Sequence, residues 1–70
     1  MDIPLGENIR RLRLERNMTQ RELAFYLNVS IQAVSKWERG SAYPDLSLLL
    51  PIADIFEVSM DELFGRVDIE

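Results

Sequence analysis

The residues of this chain whose types and spacing could do chemistry lie between Thr19 and Gly40, in the run TQRELAFYLNVSIQAVSKWERG. From Ile31 to Arg39 the run reads as a short helix with Val34 and Trp37 turned inward. That leaves Gln32, Ala33, Ser35, Lys36 and Arg39 outward, with Ile31 at the helix start. The face is small and rich in hydrogen-bonding groups, so its chemistry is recognition rather than bond-making. Gln makes paired hydrogen bonds to adenine, Lys donates to guanine, Ser suits either, and Ala touches a thymine methyl. Gln32 is the foremost candidate for direct readout. Gln20 opens the preceding helix, where unpaired N–H groups and the positive end of the helix dipole hold a phosphate.

Composition argues against most other chemistries. The 70 residues contain no Cys and no His, which removes disulfides, thiolate nucleophiles and the usual nitrogen and sulfur ligands of transition metals. No glycine-rich loop could cradle a phosphate, and the carboxylates are scattered without a paired acid and base. No metal, cofactor or small-molecule substrate is expected, and the chain is read as a non-enzyme. The longest apolar run, Leu48 to Ala53, is interrupted by Pro51 and is too short to span a bilayer. Residues 1–20 lack the apolar core of a signal peptide. A cytoplasmic protein without a membrane partner is the expectation.

The net charge of −4 conceals an asymmetry. Residues 1–40 carry seven basic and five acidic side chains, whereas residues 41–70 carry one basic and seven acidic. Such a division suits a molecule with one end toward a polyanion and the other away from it.

The elements that must position the recognition face are legible from their ends. Thr19 with Glu22 forms a capping box, Leu23, Ala24 and Leu27 make one apolar stripe, and Asn28 provides a left-handed stop. Ser30 caps the next helix and Gly40 ends it. Two short helices joined by so few residues cross steeply, the geometry of a helix-turn-helix.

This run resembles the helix-turn-helix of the lambda-repressor-like, Cro/C1-type (XRE) family of bacterial and phage regulators. The matching residues are Thr19-Gln20, Glu22-Leu23-Ala24, Val29-Ser30 and Ala33 through Gly40. Flanking agreement comes from Ile9, Leu12, Arg13, Tyr43-Pro44-Asp45, Ala53 to Phe56, Val58-Ser59 and Asp61-Glu62-Leu63, so the likeness extends from Leu5 to Gly65. It implies an all-α, compact bundle of five short helices that binds double-stranded DNA sequence-specifically as a transcriptional regulator, a repressor, with helix 3 in the major groove. Ile31, Gln32, Ala33, Ser35 and Lys36 would then face bases. Gln20, Ser30, Arg39, Ser41 and Tyr43 would contact the DNA backbone, although Tyr43 could equally be a lid packed over the core. Val34 and Trp37 would anchor the reader from behind, and an Arg13–Glu38 ion pair would tie helix 1 to it. A homodimer on a palindromic operator follows from the same likeness. The competing reading is an antitoxin-like or adaptor module that uses this fold to hold a protein partner.

The remainder of the chain fills in the bundle. Helix 1 is expected from Leu5 or Gly6 to Arg16, after an irregular lead, with Ile9, Leu12 and Arg13 on the inward stripe. Arg10, Arg11 and Arg16 face solvent, as a solvated surface or as phosphate contacts. Asn17 takes a left-handed stop. Helix 4 is expected from Leu46 or Ser47 to Phe56 with Leu49, Ile52, Ala53 and Phe56 inward. Pro51 predicts a separate turn near Leu46 to Leu49 or a late start, because an interior proline removes a hydrogen bond. Glu57 departs from the family's glycine and takes the left-handed stop at a cost on the order of 1 kcal/mol. Ser59 with Glu62 opens a fifth helix, Met60 to Phe64, closed by Gly65. Met60, Phe64, Leu48, Leu50 and Ile55 belong either to the core or to a dimer interface. Residues 1–70 are read as one domain in which 66–70 are a tail or a linker stub.

Overall fold

Helices in this chain begin where a side chain can replace a missing backbone partner. The computed structural model describes residues 4–65; residues 1–3, and with them most of the expected lead, and the tail at 66–70 lie outside them. The order is α1 (Leu5–Glu15), α2 (Gln20–Leu27), α3 (Ile31–Arg39), α4 (Leu46–Phe56) and α5 (Met60–Leu63). The Thr19 hydroxyl accepts from the Glu22 N–H at 3.0 Å while the Glu22 carboxylate accepts from the Thr19 N–H at 2.8 Å. Ser59 and Glu62 repeat the box at 3.0 and 2.9 Å. Ser30 accepts from the Ala33 N–H at 3.0 Å, and Asp45 from the Ser47 N–H at 3.2 Å. Among the described residues only α1 starts without a side-chain cap, behind Pro4. Asn17, Asn28, Gly40 and Glu57 stop their helices with φ of 54°, 59°, 78° and 59°, so the expected strain at Glu57 is present.

Every helix contributes to one core. Leu5, Ile9 and Leu12 of α1 meet Leu23, Ala24 and Leu27 of α2, Val34 and Trp37 of α3, Ile52, Ala53 and Phe56 of α4, and Leu63 of α5. α1 packs on α3, α2 on α3 and α4, and α5 on both α4 and α1. The α1–α3 crossing is close enough to require a glycine. A Cβ on Gly6 would lie 1.9 Å from the Trp37 carbonyl oxygen. Asn8 ties the other end of the chain to α1, donating from Nδ2 to the Leu63 carbonyl at 3.1 Å.

Other expectations change or are resolved. α4 runs unbroken from Leu46 to Phe56 with Pro51 inside it, instead of as a separate turn and a late helix. Pro51 and Ser47 are both exposed, so the carbonyl left without an amide partner one turn earlier stays within reach of water. Arg16 is not simply solvated. It donates to the carbonyls of Leu12 and Phe56, and its guanidinium lies 5.5 Å from the centroid of the Phe56 ring. A cation there also opposes the negative end of the α4 dipole. Finally, Leu48, Ile55 and Phe64 pack against the core as half-buried residues. Large apolar groups that face out include Leu14, Tyr43, Met60, Leu46 and Leu50 on α4, and an edge-on aromatic pair on α2, Phe25 and Tyr26, with centroids 5.7 Å apart. α5 closes one residue earlier than expected, with Phe64 as its C-cap. No helix among the described residues is long and apolar enough to cross a membrane.

Candidate nucleic-acid interface

The recognition face is built on a helix of nine residues held by two inward side chains, Val34 and Trp37, 0% and 5% exposed. Gln32, Lys36 and Arg39 are exposed, while Ile31, Ala33 and Ser35 are half-buried. Ile31 and Ala33 rest against the edge of the core, because the turn from α2 to α3 spans only Asn28, Val29 and Ser30. That turn is fixed by Val29, whose N–H donates to the Ala24 carbonyl at 3.0 Å. Polar groups that project freely are therefore Gln32 and Lys36. Ser35 is engaged differently, since its hydroxyl accepts from Arg39 one turn along. Lys36 and Arg39 fall in the last turn of α3, where positive charge is favoured by the dipole.

Behind this face lies an ion pair. Arg13 Nε donates to Glu38 Oε2 at 2.7 Å and Arg13 Nη2 to Glu38 Oε1 at 3.0 Å, a bidentate fork joining α1 to α3. The two side chains are 9% and 3% exposed. Arg13 Nη1 also donates to the Met18 carbonyl at 2.7 Å. The hydrogen bonds to Glu38 raise the guanidinium pKa above its ordinary value against the opposing effect of burial, so the pair stays charged at any working pH on the arginine side. A third element joins it: Gln20 Nε2 donates to Glu38 Oε1 at 3.0 Å. Reasoning from sequence did not find this link, because Gln20 and Glu38 are 18 residues apart and on different helices. No buried side-chain polar atom among the described residues lacks a partner.

The other candidates for backbone contact lie at the ends of α2 and α3 and in the loop after α3. Gln20 is half-buried at the start of α2. Ser30 uses its hydroxyl to cap α3. Ser41 is exposed, and its N–H donates to the Lys36 carbonyl at 2.9 Å. Tyr43 is 63% exposed, so it does not form a lid, and its neighbour Pro44 is the buried residue of that loop. Among the described residues no group of His, Cys, Asp or Glu is arranged to hold a metal ion.

The profile of the helix-turn-helix family matches residues 9–63. The chain belongs to the Cro/C1-type helix-turn-helix family. It is 46% identical over 60 residues to the HTH-type transcriptional activator BcrR of Enterococcus faecalis, covering 86% of this chain and 29% of that protein. It is 40% identical over 50 residues to the cryptic phage CTXphi transcriptional repressor RstR of Vibrio cholerae, covering 71% of this chain and 45% of RstR. Its fold matches the P22 c2 repressor, solved in complex with a synthetic operator, at a TM-score of 0.82 and 32% identity over 90% of this chain and 96% of that one. This member of the family thus spans less than half the length of BcrR or RstR.

Proposed function

We propose that this helix-turn-helix chain binds double-stranded DNA sequence-specifically as a transcriptional regulator, with α3 in the major groove. The observation that carries the reading is the division of α3 itself: Val34 and Trp37 are buried, Glu38 is bound to Arg13 and Gln20, and Gln32 and Lys36 are left free. A helix held from behind with donors and acceptors in front is what direct readout needs. Gln32 and Lys36 are the principal readers. Ile31, Ala33 and Ser35 supply shape and methyl contacts close to the base edges. Gln20, Ser30, Arg39, Ser41 and Tyr43 contact the sugar-phosphate backbone, and Arg13, Glu38, Val34 and Trp37 support the reader without touching DNA. The net basic charge of residues 1–40 supports approach by this end, and the acidic balance of residues 41–70 suits a part of the chain not engaged with DNA.

The finer proposals follow from the same reading. A two-fold dimer on a palindromic operator would place two copies of α3 about one helical turn apart. The exposed Leu46 and Leu50 are available for such a contact. Repression by covering the bound DNA is the simplest action of so small a unit, which acts in the cytoplasm, as one domain and without catalysis. The experiment is selection from a random duplex pool followed by sequencing, repeated at two salt concentrations. A recovered palindrome, with affinity falling steeply as salt rises, supports the reading. One observation favours a second reading, a protein-interaction module: Phe25 and Tyr26 are 79% and 62% exposed beside an acidic C-terminal half. Failure to select any site at either salt, with the chain folded, moves the assignment there.

A further inference from the structure

The Glu38 carboxylate does more than neutralise Arg13. Its Oε1 accepts two donors, Arg13 Nη2 and Gln20 Nε2, both at 3.0 Å, while Oε2 is taken by Arg13 Nε at 2.7 Å. An ionised carboxylate only accepts hydrogen bonds, so it selects the nitrogen of the Gln20 amide over the oxygen. This fixes which way the amide is turned. One N–H of Gln20 is spent on Glu38, which leaves the second N–H and the amide oxygen for other partners. Gln20 is the first residue of α2, and its backbone N–H and that of Arg21 have no carbonyl of their own helix to bond. The oriented side-chain N–H therefore adds a further donor to these two backbone N–H groups at the start of α2.

We infer that Glu38 is a positioning residue for DNA binding: by holding the Gln20 amide it aims one N–H at the phosphate backbone and locks that contact to α3. The inference rests on the reading of Gln20 as a phosphate contact given above. Its consequence is mechanical. The phosphate clamp at the start of α2 and the reading face of α3 share one carboxylate, so a displacement of either helix is transmitted to the other. Arg13 completes the device by holding Glu38 in place from α1, with its own third bond to the Met18 carbonyl at 2.7 Å.

The test compares the loss from Gln20→Ala in two backgrounds, with binding measured to a random-sequence duplex pool, since a phosphate contact is indifferent to sequence. The second background is Arg13→Met with Glu38→Leu, which removes the carboxylate without stranding the guanidinium; such apolar replacement of a buried pair commonly preserves folding. In the natural background Gln20→Ala is expected to weaken binding about tenfold, as for a hydrogen bond to a charged group. In the apolar background the same change is expected to cost less than about twofold, because Gln20 is no longer aimed. An equal loss in both backgrounds would overturn the positioning role and leave Glu38 a purely structural residue. No loss even in the natural background would remove the phosphate reading of Gln20, and the inference with it. A readout without any variant is the Gln20 side-chain amide by nuclear magnetic resonance. Its two protons should resonate apart from those of free glutamine amides, and coincidence with the free position would equally refute the held geometry.

Discussion

Gly6→Ala sets two physical effects against each other, and the structure decides between them. On an exposed helix the change would stabilise by about 1 kcal/mol, the difference in helix propensity. At Gly6 the added Cβ would meet the Trp37 carbonyl oxygen at 1.9 Å, the Trp37 carbonyl carbon at 3.0 Å and the Glu38 Cα at 3.3 Å. All three are backbone atoms of α3, so no rotamer change can relieve the overlap. α1 must instead move about 1 Å off α3, which loosens Leu5 and Ile9 in the core and stretches the Arg13–Glu38 fork. Overpacking of this kind costs about 3 kcal/mol at its upper range, leaving a net loss of about 2 kcal/mol after the propensity gain. For a chain of this size the total stability is roughly 4–10 kcal/mol, and the loss lowers Tm by about 8–16 °C. The assay is urea unfolding followed by the fluorescence of Trp37, the single tryptophan, which sits at the contact itself. A raised or unchanged midpoint would refute the close crossing of α1 and α3.

Other expectations follow from single contacts. Glu38→Gln is expected to cost about 3–5 kcal/mol by leaving a buried guanidinium without its counter-charge, and an unchanged melting temperature would show that the pair is not buried. Glu57→Gly is expected to stabilise by about 1 kcal/mol, since φ at Glu57 is 59° and glycine carries no penalty there; a lower urea midpoint would contradict the left-handed stop. Asp45 is held below its ordinary pKa of 3.8 by hydrogen bonds from the Ser47 hydroxyl and the Ser47 backbone N–H. Because the folded-state pKa is the lower one, its contribution is present above pH 3.8 and lost as pH falls through the folded value. The melting-temperature gap between Asp45 and Asp45→Asn chains is therefore expected to narrow on acidification below that value, and a constant gap would remove the charge from the cap. Gln32→Ala is expected to cost about 1–3 kcal/mol on a selected site and to relax preference at one base pair; an equal loss on all duplexes would make Gln32 a backbone contact.

Local signals carried most of the fold. Thr19 with Glu22 and Ser59 with Glu62 start helices through atoms three residues apart, so their spacing alone is sufficient. The left-handed stops at Asn17, Asn28 and Gly40 are equally local. The positions that escaped are those whose partners come from another helix. Arg16 has the spacing of a surface arginine, and only the placement of the end of α4 shows that its guanidinium covers Phe56. The continuity of α4 through Pro51 depends on which side of the helix meets water, a property of packing against α2 and α5. In the candidate site, the outward set on α3 was legible from the inward Val34 and Trp37, but the partial burial of Ile31 and Ala33 depends on how near the turn brings α2. The bond from Gln20 to Glu38 has no local signal at all, because both residues have ordinary alternatives in solvent.

A helix of nine residues is too short to hold itself together in water, so the direction of α3 must come from its attachments. These are concentrated at its C-terminal end. The Trp37 ring is buried, the Trp37 carbonyl abuts Gly6, the Glu38 carboxylate is taken by Arg13 and Gln20, and Gly40 turns the chain away. Toward the other end the fixings are the buried Val34, the Ser30 cap and the half-buried Ile31 and Ala33. Lys36 thus sits within the clamped turn and Gln32 about one turn beyond it, so a rotation of the helix at Glu38 displaces both readers. Substitutions at the clamp should therefore weaken recognition of every base together, whereas substitutions at Gln32 or Lys36 should act one base at a time.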